Sequence, residues 1–243
     1  MKRLVGVAVL ALSVPAGAAE RGEWSAPANP LYGFSYAIPP AAGAIPALRV
    51  RLEADRARQL AKVRSEARAA AAEAKAGGFP VRKYDYAQAW QVVASLPGWL
   101  SLSASYYSYT GGAHGMSWSG AMLWDRKAGV PRNPLELFAS KEALSRAIRA
   151  PFCAALDRQR AEKRGEAVKP GSTAMFDECI DPVKQTVLLG SKSKRAFDRI
   201  GVLVAPYEAG PYAEGSYEVT VPVTPAVLAA VRPQWRASFA RGK

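Results

Sequence analysis

Hydrophobic residues recur along this chain with two different periods, which separate predicted helices from predicted strands. Over residues 46–76 the apolar positions recur at steps of mostly three and four, with Ala, Arg, Glu and Lys between them. This spacing predicts a long amphipathic helix, which ends at the Gly77-Gly78 pair. From residue 83 the period becomes two, and residues 84–130 are predicted to form an antiparallel meander.

The second half of the chain mixes helical and extended patterns. Residues 141–149 and 151–164 predict two helices, with Pro151 at the start of the second, where its missing N–H does no harm. Shorter apolar runs predict strands at 186–189, 200–204 and 217–221 and a closing helix from residue 227. Helices and strands do not alternate regularly, which is typical of an α+β fold and not of a parallel α/β sheet.

The first nineteen residues have the pattern of a secretory signal peptide. Lys2 and Arg3 precede an apolar run over residues 4–14, and the small residues at 16–19 offer a cleavage site. The apolar run is shorter than the roughly 20 residues that a membrane span needs. We therefore expect a periplasmic or secreted protein, with no transmembrane segment after cleavage of residues 1–19.

The net charge changes the choice of partners. Lys and Arg exceed Asp and Glu to give +13, and removal of Lys2 and Arg3 leaves +11. Because exported proteins do not normally meet nucleic acid, we expect no nucleic-acid partner. A strong positive charge outside the cytoplasm favours anionic envelope polymers or lipid headgroups, although a generic basic surface remains an alternative.

Cysteine and histidine are scarce. The chain holds one His and two Cys, too few for a structural zinc site, and no metal or cofactor is expected. In an oxidising compartment Cys153 and Cys179 are expected to form a disulfide. The predicted fold is therefore α+β, with antiparallel sheets packed against the long N-terminal helix and a disulfide-stapled helical pair, divided into subdomains at 20–110 and 111–243.

Catalytic motifs are weak in this sequence. There is no G-x-S-x-G nucleophile elbow and no phosphate-binding glycine loop, and His114 is the single histidine, in a glycine-rich turn. We expect its ring to hydrogen-bond the backbone of that turn. Glu208 and Glu214 flank one loop, so a hydrolase with two carboxylates that acts on glycan is retained as the alternative.

Aromatic residues concentrate around the turn that holds His114. Three tyrosines and two tryptophans lie in adjacent predicted strands: Tyr106, Tyr107, Tyr109, Trp118 and Trp124. We expect the two tryptophans in the core. Since neighbouring strand residues point to opposite faces, at least one of the three tyrosines must face outward, where it could stack on a sugar or dock a partner.

Two segments together resemble a known family. Residues 107–115 read YSYTGGAHG and are followed by NPLELF at 133–138, and residues 205–215 read APYEAGPYAEG. This order is similar to a bacterial exported family of paired uncharacterised domains. The pair is found in the extracellular part of the lysozyme-sensing anti-sigma factor RsiV and in the non-catalytic part of the peptidoglycan deacetylase PdaC.

The resemblance implies an α+β fold, export, and contact with the cell wall or with wall-degrading enzymes. No anti-sigma segment and no metal-binding deacetylase domain is apparent, so sigma-factor control and deacetylation are not carried over. We expect a non-catalytic binding protein whose ligand is peptidoglycan or an enzyme such as lysozyme. Its predicted binding residues are Tyr107, Tyr109, Gly111, Gly112, His114, Tyr207, Glu208, Tyr212 and Glu214.

Overall fold

Nine strands form two sheets in the computed structural model, which describes residues 22–169, 172 and 174–242. The larger sheet has six strands in the order of the chain. They are β1 (Glu23–Ser25), β2 (Tyr32–Ala37), β3 (Tyr84–Ser95), β4 (Trp99–Tyr109), β5 (Met116–Asp125) and β6 (Val130–Arg132). The predicted signal peptide lies outside the described residues. No helix within those residues has the length and apolar character that crossing a membrane requires.

The six-stranded sheet is mixed, so the prediction of antiparallel sheets is wrong for this sheet. β3, β4, β5 and β6 form the predicted meander, but β2 pairs with β3 in parallel. A parallel pair needs a crossover connection of a dozen residues or more. Here the crossover contains the short helix α1 (Pro40–Gly43) and the 31-residue helix α2 (Pro46–Ala76). Local periodicity identifies the helix but not the strand to which the chain returns.

Helix α2 covers one face of the larger sheet. Its buried residues include Leu48, Leu52 and Val63, and they belong to the same core as Tyr36 and Trp90 of the sheet.

A buried polar network fixes helix α2 on the sheet. The Tyr36 hydroxyl donates to Asp55 of α2 at 2.9 Å and accepts from the Trp90 indole at 2.9 Å. Gln88 donates to the same carboxylate at 3.1 Å. Burial raises the pKa of Tyr36 far above its ordinary value, so its hydroxyl stays a donor.

The smaller sheet packs with a second long helix. Its antiparallel strands are β7 (Thr186–Gly190), β8 (Arg199–Val204) and β9 (Tyr217–Pro222), and the helices are α3 (Lys141–Arg164) and α4 (Pro225–Ala230). Their core also takes Trp99 and Leu123 from the larger sheet. The larger sheet continues past residue 110 through β5 and β6, and the division into 20–110 and 111–243 stays a prediction.

Helix α3 is continuous, so the prediction of two helices that separate at Pro151 is wrong. An internal proline costs about 3 kcal/mol because it removes a hydrogen bond and crowds the preceding turn. The buried side chains of Leu144, Ile148, Phe152 and Leu156 follow one another at steps of four across Pro151. Burial of such side chains contributes roughly 1.5–3 kcal/mol each, which outweighs the cost.

The predicted disulfide is confirmed. Cys153 of α3 is bonded to Cys179 in the segment that follows the helix, and the two Cα atoms lie 5.5 Å apart. Arg149 donates to the carbonyl of Cys179 at 2.8 Å, one helical turn before Cys153. The bond therefore ties the loop after α3 to the side of the helix.

Candidate aromatic binding site

Two loops that are far apart in sequence meet at one place. The β4–β5 turn carries His114, and the loop between β8 and β9 carries Tyr207 and Tyr212. The imidazole of His114 stacks on the ring of Tyr212, with centroids 3.9 Å apart and planes at 22°. The Tyr207 ring is tilted against both, 5.6 Å from Tyr212 and 6.3 Å from His114. We call these three rings the aromatic cluster.

Hydrogen bonds hold the cluster together. The Tyr212 hydroxyl donates to the carbonyl of Gly115 at 2.9 Å. Nδ1 of His114 lies 3.0 Å from the same carbonyl, which only accepts, so Nδ1 carries the proton. Nε2 then accepts from the Tyr207 hydroxyl at 3.3 Å. The ring of His114 thus bonds the backbone of its own turn, as the sequence predicts, and no carboxylate of the described residues hydrogen-bonds it as in a catalytic triad.

Tyr207 has an unusual backbone conformation. Its φ is 70°, in the left-handed region that residues with a Cβ avoid at a cost of roughly 1–2 kcal/mol. The loop holds this conformation through a bond from the Tyr207 N–H to the Gly210 carbonyl at 3.1 Å. The side chain is nevertheless 47% exposed. Backbone strain that places an aromatic ring at the surface is a feature of binding sites.

Tyr107 adjoins the cluster through Gly115. A Cβ on Gly115 would stand 2.3 Å from the Tyr107 ring, so only glycine lets that ring lie over the turn. Gly111 has a φ of 97° and makes the turn possible. At Gly112, in contrast, an added Cβ would meet nothing within 4 Å. Tyr109 lies opposite Asp85 of β3, and its described contacts include no ring of the cluster.

The two glutamates of the hydrolase alternative have different partners. Glu214 accepts hydrogen bonds from Arg164 at 2.9 Å and from the Tyr217 hydroxyl. Burial would raise the pKa of Glu214, but the bonds from Arg164 and Tyr217 outweigh burial and lower it. Glu208 is exposed and accepts from Gln185 at 3.2 Å. A general acid needs a raised pKa in an apolar pocket, whereas the pKa of Glu214 is lowered and Glu208 is exposed to solvent.

The C-terminal half of α3 fixes the loop that carries Tyr207 and Tyr212. Arg160 is fully buried and donates to the carbonyl of Ala209 at 3.0 Å. It also donates to the carbonyls of Asp177 and Glu178, in the loop that the disulfide holds. Arg164 bridges the same two loops through ion pairs with Asp177 and Glu214 at 2.7 and 2.9 Å.

A third cation of the helix completes this attachment. Lys163 donates to the carbonyls of Glu214 and Ser216, both at 2.6 Å, and its ammonium lies 3.9 Å from the centre of the Tyr217 ring. We call Arg160, Lys163 and Arg164 the cationic clamp. The sequence did not lead us to predict the cationic clamp. The signal that could have indicated it is the run of cations in the last turns of the predicted helix.

A groove begins beside Tyr107 and runs over the face of the larger sheet that α2 leaves open. Its volume is about 470 Å³. Small side chains line its sheet side, and most of them are serine or alanine: Ser35, Ala37, Ala87, Ala89, Ser105, Ser117 and Ser119. Its other side includes Pro206, Ser216 and Glu218 from the smaller sheet and its loop, and Glu23 stands at the edge strand. Among the residues that the structure describes, the lining includes no Lys or Arg, in a strongly basic protein.

The two tryptophans of β5 differ in exposure. Trp124 is buried as predicted, but Trp118 is 40% exposed, so the prediction that it belongs to the core is wrong. Trp118 stacks on Tyr106 of β4, with centroids 5.2 Å apart and planes at 7°. Both residues border the groove. Among the described residues no group of three or more His, Cys, Asp or Glu side chains could hold a metal ion.

Comparison with known proteins supports the resemblance stated from the sequence. Residues 26–117 match the family model described as Deacetylase PdaC. They include the turn that carries His114 but not the loop with Tyr207 and Tyr212. Among curated proteins, none matches the chain.

Solved structures provide a further comparison. A DUF3298 family protein from Pseudomonas aeruginosa PAO1 has a TM-score of 0.50 and 17% identity, over 91% of this chain and 95% of that one. A DUF3298 family member from Bacteroides fragilis NCTC 9343 has a TM-score of 0.48 and 16% identity, over 79% and 80%. The Pseudomonas structure shares the fold, and with the PdaC match it confirms the paired-domain resemblance.

Proposed function

We propose that this chain, whose residues 26–117 match the family model described as Deacetylase PdaC, is an exported cell-envelope protein that binds the glycan of peptidoglycan. The observation that carries the proposal is the aromatic cluster, because two loops about 90 residues apart assemble three rings at the surface. Tyrosine and histidine rings present an apolar face with a polar tip, which suits a partner that is apolar on one side and polar on the other. A sugar ring has that character.

The adjoining groove suits the rest of a glycan strand. Serine hydroxyls both donate and accept hydrogen bonds, as sugar hydroxyls do. Glu23 and Glu218 at the groove supply acceptors only, and the small side chains leave space for a ring to approach the sheet. Since the described residues of the lining include no Lys or Arg, we expect binding here to depend little on the overall positive charge.

Co-sedimentation with purified peptidoglycan sacculi tests the proposal. Residues 20–243 with the disulfide intact are mixed with sacculi at low and at high salt, since salt weakens exposed charge contacts and leaves ring stacking in place. We expect binding that survives salt and falls about tenfold in Tyr212→Ala, the typical cost of losing a central aromatic anchor. Tyr212→Phe keeps the stack and loses one hydrogen bond, so it should bind more tightly than Tyr212→Ala.

Met175→Ala is the control, because Met175 is a large apolar residue with 82% exposure in another loop. It should bind sacculi as the parent protein does. Binding that high salt abolishes, or that Tyr212→Ala leaves unchanged, would contradict the proposal. In that case capture of lysozyme by the same protein would point to a wall-degrading enzyme as the partner.

A further inference from the structure

The segment between α2 and β3 presents an exposed aromatic residue at a rigid position. The helix ends in a Schellman motif: Gly78 has a φ of 71°, Phe79 N–H bonds the carbonyl of Ala74 at 2.8 Å, and Gly78 N–H bonds that of Lys75 at 3.3 Å. In such a motif the residue at the position of Phe79 usually packs on the last turn of the helix. Here Ala74 offers it little surface, and Phe79 is 70% exposed.

Cations lie close to this exposed ring in the sequence. Residues 74–84 contain Lys75, Arg82 and Lys83 and no acidic residue, and the side chains of all three cations are exposed. Lys83 has Asp85 within 4.0 Å, whereas Lys75 and Arg82 form no ion pair with any residue that the structure describes. Val81, 37% exposed, adds a second apolar side chain. We call residues 75–83 the basic tip.

The position of the basic tip relates it to the aromatic cluster. A Cβ on Gly111 would stand 3.0 Å from the Arg82 side chain, so the tip lies beside the turn that carries His114. The strand pairing agrees, because β3 begins where β4 ends. A surface that holds the tip would therefore also fix the orientation of the cluster.

We propose that the basic tip docks on the surface of an anionic phospholipid bilayer, with Phe79 inserted among the headgroups. Phe next to Lys and Arg is the composition of segments that bind at membrane interfaces. Each cation near an anionic surface contributes roughly fivefold to binding, and the ring contributes by leaving water. A soluble anion or a polysaccharide would satisfy the cations but would offer no apolar depth for Phe79.

Vesicle sedimentation tests this docking. Residues 20–243, which include every described residue, are mixed with vesicles that contain phosphatidylglycerol or with vesicles of phosphatidylcholine alone. We expect binding to the anionic vesicles only, a loss of about tenfold in Phe79→Ser, and retention in Phe79→Trp, since Trp is favoured at the interface. Reversal of all three charges (K75E, R82E and K83E) should abolish binding.

Val50→Ser is the matched control, because Val50 is a 62% exposed apolar residue between Arg49 and Arg51 on the same helix. It should bind the vesicles unchanged. If Phe79→Ser binds as tightly as the parent, diffuse charge explains the binding and the proposal fails. If Val50→Ser loses as much as Phe79→Ser, the apolar contact is not specific to the basic tip, and the proposal fails as well. Phe79→Ser should still bind sacculi, so this failure is distinct from a failure of the proposed glycan site.

Discussion

Replacement of Arg160 by methionine tests the cationic clamp at its most buried member. Arg160 has no exposed side-chain surface and donates four hydrogen bonds, at 3.0 to 3.2 Å. Three of the acceptors are the carbonyls of Ala209, Asp177 and Glu178. Methionine fills much of the same space and donates nothing, so the part-buried carbonyls of Asp177 and Glu178 lose this donor, and the carbonyl of Ala209 keeps a longer bond from Arg164 at 3.4 Å.

The cost follows from these bonds. A buried acceptor that loses its partner costs about 1–3 kcal/mol, and some of these carbonyls will regain water when their loops relax. We therefore expect Arg160→Met to lower the free energy of unfolding by about 3 kcal/mol. In a chain of this size that corresponds to a fall in Tm of about 6–12 °C. Binding to sacculi should fall as well, because Ala209 anchors the loop that carries Tyr207 and Tyr212.

Arg158→Met provides the comparison, because Arg158 is exposed on the same helix two residues earlier. Urea unfolding followed by circular dichroism measures both variants against the parent. The control should change the free energy of unfolding by less than about 0.5 kcal/mol, as surface substitutions usually do. An Arg160→Met variant within about 1 kcal/mol of this control would refute the argument that the clamp holds the two loops.

Three further predictions concern the site. Tyr207→Ala and Tyr207→Gly both remove the ring and should lose sacculus binding equally. Tyr207→Gly should nevertheless be about 1 kcal/mol more stable in urea unfolding, since glycine adopts the left-handed φ of 70° without strain; equal stability would count against that strain. Gly115→Ala should displace the Tyr107 ring and lower the free energy of unfolding by about 1–3 kcal/mol. Gly112→Ala, which has open space around its Cβ, should leave stability unchanged. Equal melting temperatures of the two variants would contradict this prediction. The lowered pKa of Glu214 means that its folded form binds a proton less readily than the unfolded chain. Its contribution to stability is therefore complete above the ordinary value of 4.5 and is lost as the pH falls through the lowered value. Unfolding curves of Glu214→Gln should show a shallower decline with acid than those of the parent, and parallel declines would contradict the assignment.

The periodic elements of the fold could be predicted because each depends on a few neighbouring residues. The helix over 46–76 and the meander over 84–130 are set by side chains that must share a face, and the structure has both. Periodicity does not show which face is covered. Trp118 and Trp124 share a face of β5, as predicted, but Trp124 belongs to the core under α2 and Trp118 remains exposed. The extent of a covering helix is a property of the whole fold.

The candidate site could also be predicted only in part, because some of its features depend on residues far apart in the chain. The residues at the surface of the site are aromatic and glycine residues whose types are informative in the sequence, and the structure brings His114, Tyr207 and Tyr212 together. Glu214 also appears in that sequence pattern, but its role could not be predicted, because it depends on Arg164 across fifty residues of chain.

The position of the disulfide gives the cationic clamp its rigidity. Asp177 and Glu178 supply acceptors to Arg160 and Arg164, and they lie immediately before Cys179, which is bonded to the same helix. The loop after α3 is thus held to the helix at both a covalent and an ionic point, and through the two arginines it supports the loop of the aromatic cluster. Rings that are held in place before a ligand arrives lose little freedom on binding, which raises affinity without any additional contact. The sequence features that seemed purely structural, one disulfide and a basic helix end, therefore determine how well the exposed rings could bind.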